Sequence, residues 1–186
     1  MNNQAQQSVW DVSSSYVEWG IKRSLREYVL GTEDGTIEWV APASERRFPA
    51  HEIINRAAVD ELCGVFEGSV RFRAHGSLMD VAVGSISVEI GSMGAAISIA
   101  GISSGTFAEH EGSVRRIQVN GVIEILIEHP ALTSRGAAFL GGVYTRGTLL
   151  DPLRLVLALE PHPHPARAIA PEPGQRSLTW KTKEKP

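Results

Sequence analysis

The sequence predicts a mainly β fold, a β-sandwich or barrel-like sheet carrying two or three short helices. Short segments in which every second residue is apolar recur through the middle of the chain. Turn signals separate them, Asn120-Gly121 foremost. Apolar residues at helical spacing occur in a few short stretches only.

Taken in order, residues 1–15 are polar, rich in Gln, Asn and Ser, and read as a flexible N-terminus. A folded domain is expected over 16–160. "WGIKRSLREYV" (19–29) reads as a helix whose stripe holds Ile21, Ser24, Leu25 and Tyr28, at i, i+3, i+4 and i+7. "EIINRAAVDELCG" (52–64) reads as about two helical turns, although Ile53 and Ile54 favour a strand. In "FEGSVRFRAH" the residues Phe66, Val70, Phe72 and Ala74 share one face, opposite Ser69, Arg71, Arg73 and His75. "MDVAV" and "SISVEI" alternate as well, and Gly84 between them shifts the parity, which predicts a bulge or turn. "MGAAISIAGI" is a strand of small residues. In "VRRIQVNGVIEILIEH" the Asn-Gly pair predicts a type I′ hairpin, with Ile123, Ile125 and Ile127 on one face. "LTSRGAAFLGG" (132–142) has Thr133 or Ser134 as N-cap and Gly141-Gly142 as its stop. "LRLVLALE" closes the set, with Leu153, Leu155, Leu157 and Leu159 on one side. Residues 161–186 are proline-rich with a basic end and read as a disordered tail.

A net charge of −3 and scattered basic residues argue against nucleic acid as a partner. One cysteine, Cys63, excludes an intrachain disulfide framework. No stretch reaches the ~18 apolar residues of a membrane-spanning helix. The N-terminus has neither the basic nor the apolar region of a signal peptide, so the chain as it stands reads as cytoplasmic.

Phosphate-binding, zinc-protease and serine-hydrolase signatures are absent. The glycines of "GSMGAAISIAGISSG" precede no helix on which a phosphate could sit, and read as packing and turn residues. Cys63 reads as an inert buried thiol, and His162 and His164 as tail residues between prolines. Tyr28 has two readings. It caps the core with its hydroxyl at the water's edge, or it is presented to a hard cation such as Fe(III), which stabilises a phenolate whose free pKa is ~10.

Three stretches, read together, resemble the HtaA domain family, the haem-binding modules of Gram-positive haem-uptake systems. "WGIKRSLREYV" (19–29) is similar to its Trp-Gly-x-Lys-x-Ser-Phe-x-x-Tyr helix. "FEGSVRFRAHGSLMDVAV" (66–83) is similar to its strand ending His-Gly-x-Leu-Asp. "ALTSRGAAFLGGVYTRGTLLDPLRLVL" (131–157) resembles its Leu-Thr-x-x-Gly-x-x-x-Phe-x-Gly-x-Tyr stretch and the Leu-Asp-Pro before the last strand. The resemblance implies haem b held as Fe(III) against the first helix. Tyr28 matches the axial iron ligand, His75 the histidine that hydrogen-bonds the tyrosine oxygen, and Ser24 a serine reaching a haem propionate. Strand parity places His75 on the polar face with Arg71 and Arg73, where such a partner is expected. Lys22 and Arg23 are candidate propionate contacts, and Phe139 and Tyr144 candidates to line the haem face. Leu25 stands where the family has phenylalanine, and family members are usually exported or bound at the cell surface.

The function expected from the resemblance is haem carriage, transfer or storage through an axial tyrosinate, with another haem-carrying protein as a possible partner and the oligomeric state open. One alternative is a haem-dependent enzyme acting on peroxide or an organic substrate, for which His51 and His110 are the candidate acid–base residues. Another is a haem-free β interaction module in which Tyr28 only caps the core.

Overall fold

The computed structural model describes residues 10–56 and 61–160. In chain order the elements are β1 (Trp10–Trp19), α1 (Arg23–Leu30), β2 (Thr36–Val40), β3 (Arg47–Arg56) and β4 (Glu61–Ala74). They continue with β5 (Met79–Gly91), β6 (Gly94–Ser98), β7 (Ala108–Glu111), β8 (Arg115–Val119) and β9 (Val122–Ile127). The chain then forms β10 (Ala131–Leu132), α2 (Ser134–Phe139) and β11 (Leu153–Leu159). The strands join in one antiparallel sheet of order β10-β7-β6-β5-β4-β3-β1-β11-β9-β8, with β2 also paired to β4. The sheet curls into a half-barrel, so the mainly β, barrel-like expectation holds.

The curl has a local cause in the two long central strands. Along one edge of β4 the partner is β3 up to Phe66 and β2 from Ser69 onward, with a bulge between. Gly68 occupies that bulge at φ 88°, where a Cβ would collide with Ala43. Directly across, Gly84 pairs with Ser69, and the inward-facing positions switch from odd to even between Val83 and Gly84. This one bulge, two residues of β4 against one of β5, bends both strands together. The parity shift predicted at Gly84 is this bend.

The inner face carries the core: Trp19, Phe48, Phe66, Phe72 and Phe107 are all essentially inaccessible. Trp19 meets Phe107 edge to face at 5.9 Å, a favourable arrangement of ring quadrupoles. Asn120 and Gly121 both have positive φ, 50° and 77°, as a type I′ turn requires. Behind that hairpin Ile125 and Ile127 are buried, as are Leu153, Leu155 and Leu157 of β11.

Three local expectations are corrected. Residues 52–64 are not a helix: Ile53 pairs with Gly64 and Ile54 with Cys63, as the arms of the β3–β4 hairpin. Cross-strand pairing and burial of Ile53 and Leu62 override the weak helical pattern. Residues 10–15, loose by composition, belong to β1, where Trp10 is buried and pairs with Leu159. The third correction concerns the first helix, which starts at Arg23 instead of Trp19. Trp19 ends β1 opposite Leu153, and Ile21 adopts φ 64°. That left-handed conformation costs a side-chain-bearing residue roughly 1–2 kcal/mol. Ile21 is completely buried, and burial of such a side chain returns about 1.5–3 kcal/mol. His162, His164 and the rest of the expected tail lie outside the described residues.

Candidate functional site

An isolated eight-residue helix is unstable in water, so α1 depends on what it buries. Leu25 and Val29 face the core. Ser24 and Tyr28, four residues apart, share one exposed face that flanks this buried one. Tyr28 is 51% exposed. The stripe read from the sequence thus divides, with Ile21 and Leu25 in the core and Ser24 and Tyr28 at the surface.

The Tyr28 hydroxyl lies 2.6 Å from Nε2 of His75. Strand parity is not what brings His75 there. Strand β4 ends at Ala74, and His75 begins a turn in which His75, Gly76 and Ser77 all have positive φ, 56°, 63° and 71°. Arg71 and Arg73 stay on the outer face of β4, where Arg71 grips Asp80 in a bidentate pair of 2.6 Å bonds. The strained turn is fastened by Asp34. One carboxylate oxygen accepts the His75 amide at 2.9 Å and the other accepts the Gly76 amide. These two N–H donors, Gly76 first and His75 second, hold the Asp34 carboxyl below the usual carboxylate range. The sequence reading missed Asp34. Its one cue is the Asp34-Gly35 turn signal, and no local pattern reports a bond made 41 residues further along the chain.

At the other end of the exposed face, Ser24 Oγ lies 3.2 Å from the Tyr144 hydroxyl. Lys22 Nζ donates to the Leu149 carbonyl at 2.8 Å and stands 5.3 Å from the centre of the Tyr144 ring. The structure therefore groups Tyr28 with His75, and Ser24 with Lys22 and Tyr144, on one side of α1. Phe139 is engaged elsewhere: its ring meets Phe107 edge to face at 6.0 Å and covers Gly101. Arg23 is paired with Glu27 at 2.6 Å. His51 faces Glu67 at 2.9 Å. Cys63 lies within β4, partly buried. His110 borders a cavity of about 690 Å3 that also contains His129, Arg135 and Arg146. That cavity includes none of the residues around Tyr28. Several of its polar groups are already matched, Thr106 with Glu109 at 2.5 Å and Arg135 with Ser104 at 2.7 Å.

The family model for HtaA matches residues 14–156. The chain belongs to the HtaA family. The solved structures agree in fold. The C-terminal domain of HtaA from Corynebacterium glutamicum superimposes with a TM-score of 0.64 at 17% identity, over 78% of this chain and 96% of that one. The N-terminal domain of HtaA from the same organism gives 0.58 at 19% identity, over 81% and 99%. A domain-swapped dimer of a histidine-to-alanine variant of the C-terminal domain gives 0.56 at 18% identity, over 76% and 94%. No curated protein matches the chain. HtaA domains are haem-uptake domains, so membership supports haem as the ligand of this HtaA domain. Among its described residues no helix is long and apolar enough to cross a membrane.

Proposed function

We propose that this HtaA domain carries ferric haem b on the exposed side of α1, with the Tyr28 phenolate as axial iron ligand. The observation that carries the reading is the 2.6 Å contact between the half-exposed Tyr28 hydroxyl and His75 Nε2. A phenol binds iron only after losing its proton, and an imidazole nitrogen at hydrogen-bond distance is placed to receive it. The neutral phenol donates to Nε2. After transfer, the Nε2–H donates back to the phenolate and stabilises its charge. Bound haem supplies a ferric Lewis acid that an anionic oxygen prefers over Fe(II).

The remaining side chains of this face suit the rest of such a ligand. Ser24, Tyr144 and Lys22 offer two hydroxyls and an ammonium to propionate carboxylates. Leu30, Leu78, Val143 and Leu149 are exposed on the segments that carry or adjoin these residues, and offer apolar contact to a porphyrin. Because the ligand sits on an open face and is held by one protonatable oxygen, the reading favours carriage and transfer.

Titration of the purified protein with haemin tests it. Wild type is expected to give a high-spin ferric spectrum with a tyrosinate charge-transfer band. Tyr28→Phe should lose that band and most of the affinity. Equal binding by Tyr28→Phe would refute the axial assignment, and no binding by wild type would refute the haem reading altogether.

A further inference from the structure

Asp151 stands two residues before the last strand, 123 positions after Tyr28, and touches neither Tyr28 nor His75 in any hydrogen bond. It nevertheless directs all its polar atoms at the segment that starts α1. Its Oδ1 accepts the Arg23 amide at 2.8 Å. Its Oδ2 accepts Arg26 Nη1 at 2.7 Å. Its backbone amide donates to the Ile21 carbonyl at 3.0 Å, and its carbonyl accepts the Trp19 indole at 3.0 Å. Arg26 closes the ring by donating to the Gly20 carbonyl.

The helix cannot supply these contacts itself. Its N-cap residue, Lys22, makes no side-chain capping bond, and the first turn holds no acidic residue. The first N–H groups of a helix have no partner within it, and an anion placed there also interacts favourably with the helix dipole. Asp151 provides both functions from 128 residues away. The junction it stabilises is strained, because the buried Ile21 is held at φ 64°. Such outliers persist only where surrounding structure fixes them. The four bonds to Asp151 are that structure.

The geometry points to Asp151 as the positioning residue for Tyr28: it caps α1 from outside the helix and so sets where the phenol meets His75. At 1.5 Å rise per residue, Tyr28 lies about 7.5 Å along the axis from Arg23. A 10° tilt at the first turn would shift the backbone there by about 1.3 Å, more than a 2.6 Å hydrogen bond tolerates.

The inference rests on the haem reading only for its consequence in binding, and the experiment separates the two. In haem-free protein, NMR with labelled tyrosine Cζ and histidine nitrogens reports the Tyr28–His75 contact directly. Asp151→Ala is expected to shift both signals to values seen in the Tyr28→Phe and His75→Ala references for an unpaired group. Asp151→Asn, which keeps an acceptor for the Arg23 amide, should restore them in part. Thr133→Ala, a destabilising change at α2, should leave them in place and so controls for stability loss alone. In the haemin titration Asp151→Ala is expected to lower affinity about tenfold in the presence of Tyr28, and not at all on a Tyr28→Phe background. An unchanged Tyr28–His75 signature in folded Asp151→Ala overturns the proposal, as does an unchanged signature in Asp151→Asn if the alanine variant does not fold. Equal losses with and without Tyr28 overturn it too. Failure of wild type to bind haemin, with the NMR shifts as expected, removes the haem reading and leaves the positioning role intact.

Discussion

Tyr28 and His75 meet at 2.6 Å across 47 residues of sequence, one from a helix and one from a left-handed turn. Neither partner is held by the other alone, since the helix is docked by Leu25 and Val29 and the turn by Asp34. This independence makes His75 a clean target. A hydrogen bond to a charged group contributes about 1.5–3 kcal/mol, so His75→Ala should weaken haemin binding about tenfold to a hundredfold. The tyrosinate band should shift, because the ligand oxygen loses its donor. Titration and the visible spectrum check both, and an unshifted band would show that the imidazole does not reach the ligated oxygen.

Asp34 should give the site an acid limit. Its folded-state pKa is depressed by the Gly76 and His75 amides. Its contribution is therefore complete above the ordinary carboxylate value of 3.8 and fades as pH falls below that value through the lowered folded one. The Gly76 amide signal, whose donor meets the Asp34 carboxylate directly, should titrate in that acidic window. Asp34→Asn keeps one acceptor but loses the charge. It should abolish the titration, and it should raise amide exchange at Gly76 a few-fold at neutral pH.

The parts legible in sequence were those fixed by local rules. The Asn120-Gly121 turn, the parity shift at Gly84 and the leucines of β11 follow from period and backbone preference, and the structure places each as expected. The 52–64 segment misled because its weak helical spacing competes with two arms that pair with each other, the second of them also pairing with β5. Ile21 misled differently: it is apolar and buried, so it completed a helical stripe without belonging to the helix. The contact of Tyr28 with His75 was legible through the resemblance to known domains, although the parity argument offered for it fails. Asp34 and Asp151 were not legible, since each acts on main-chain groups more than 40 residues away.

The second helix offers a stability prediction separate from the site. Thr133 Oγ1 accepts the Gly136 amide at 3.0 Å and donates to the Thr106 carbonyl at 2.6 Å. Loss of such a cap costs typically ~1 kcal/mol, and the second, part-buried bond moves Thr133→Ala toward about 2 kcal/mol. For a chain of this size that lowers Tm by about 4–8 °C. Thermal unfolding measures it, and the haemin spectrum at 25 °C should not change.

The Ser24–Tyr144 pair decides how the carboxylate end of the ligand is read. The two hydroxyls lie 3.2 Å apart, and Lys22 stands 5.3 Å from the Tyr144 ring centre. They form one hydrogen-bonding unit, so their losses should not add. Ser24→Ala and Tyr144→Phe are each expected to weaken haemin binding about threefold to tenfold, and the double variant little more than either single one. Lys22→Gln should add a salt-dependent loss, since its share is that of an exposed charge. The control is the ligand itself. Haemin whose propionates are esterified cannot accept these bonds as a carboxylate does, so wild type and the four variants should bind it with equal affinity. If the variants discriminate against the ester as strongly as against free haemin, the hydroxyls support the loop and not the propionates.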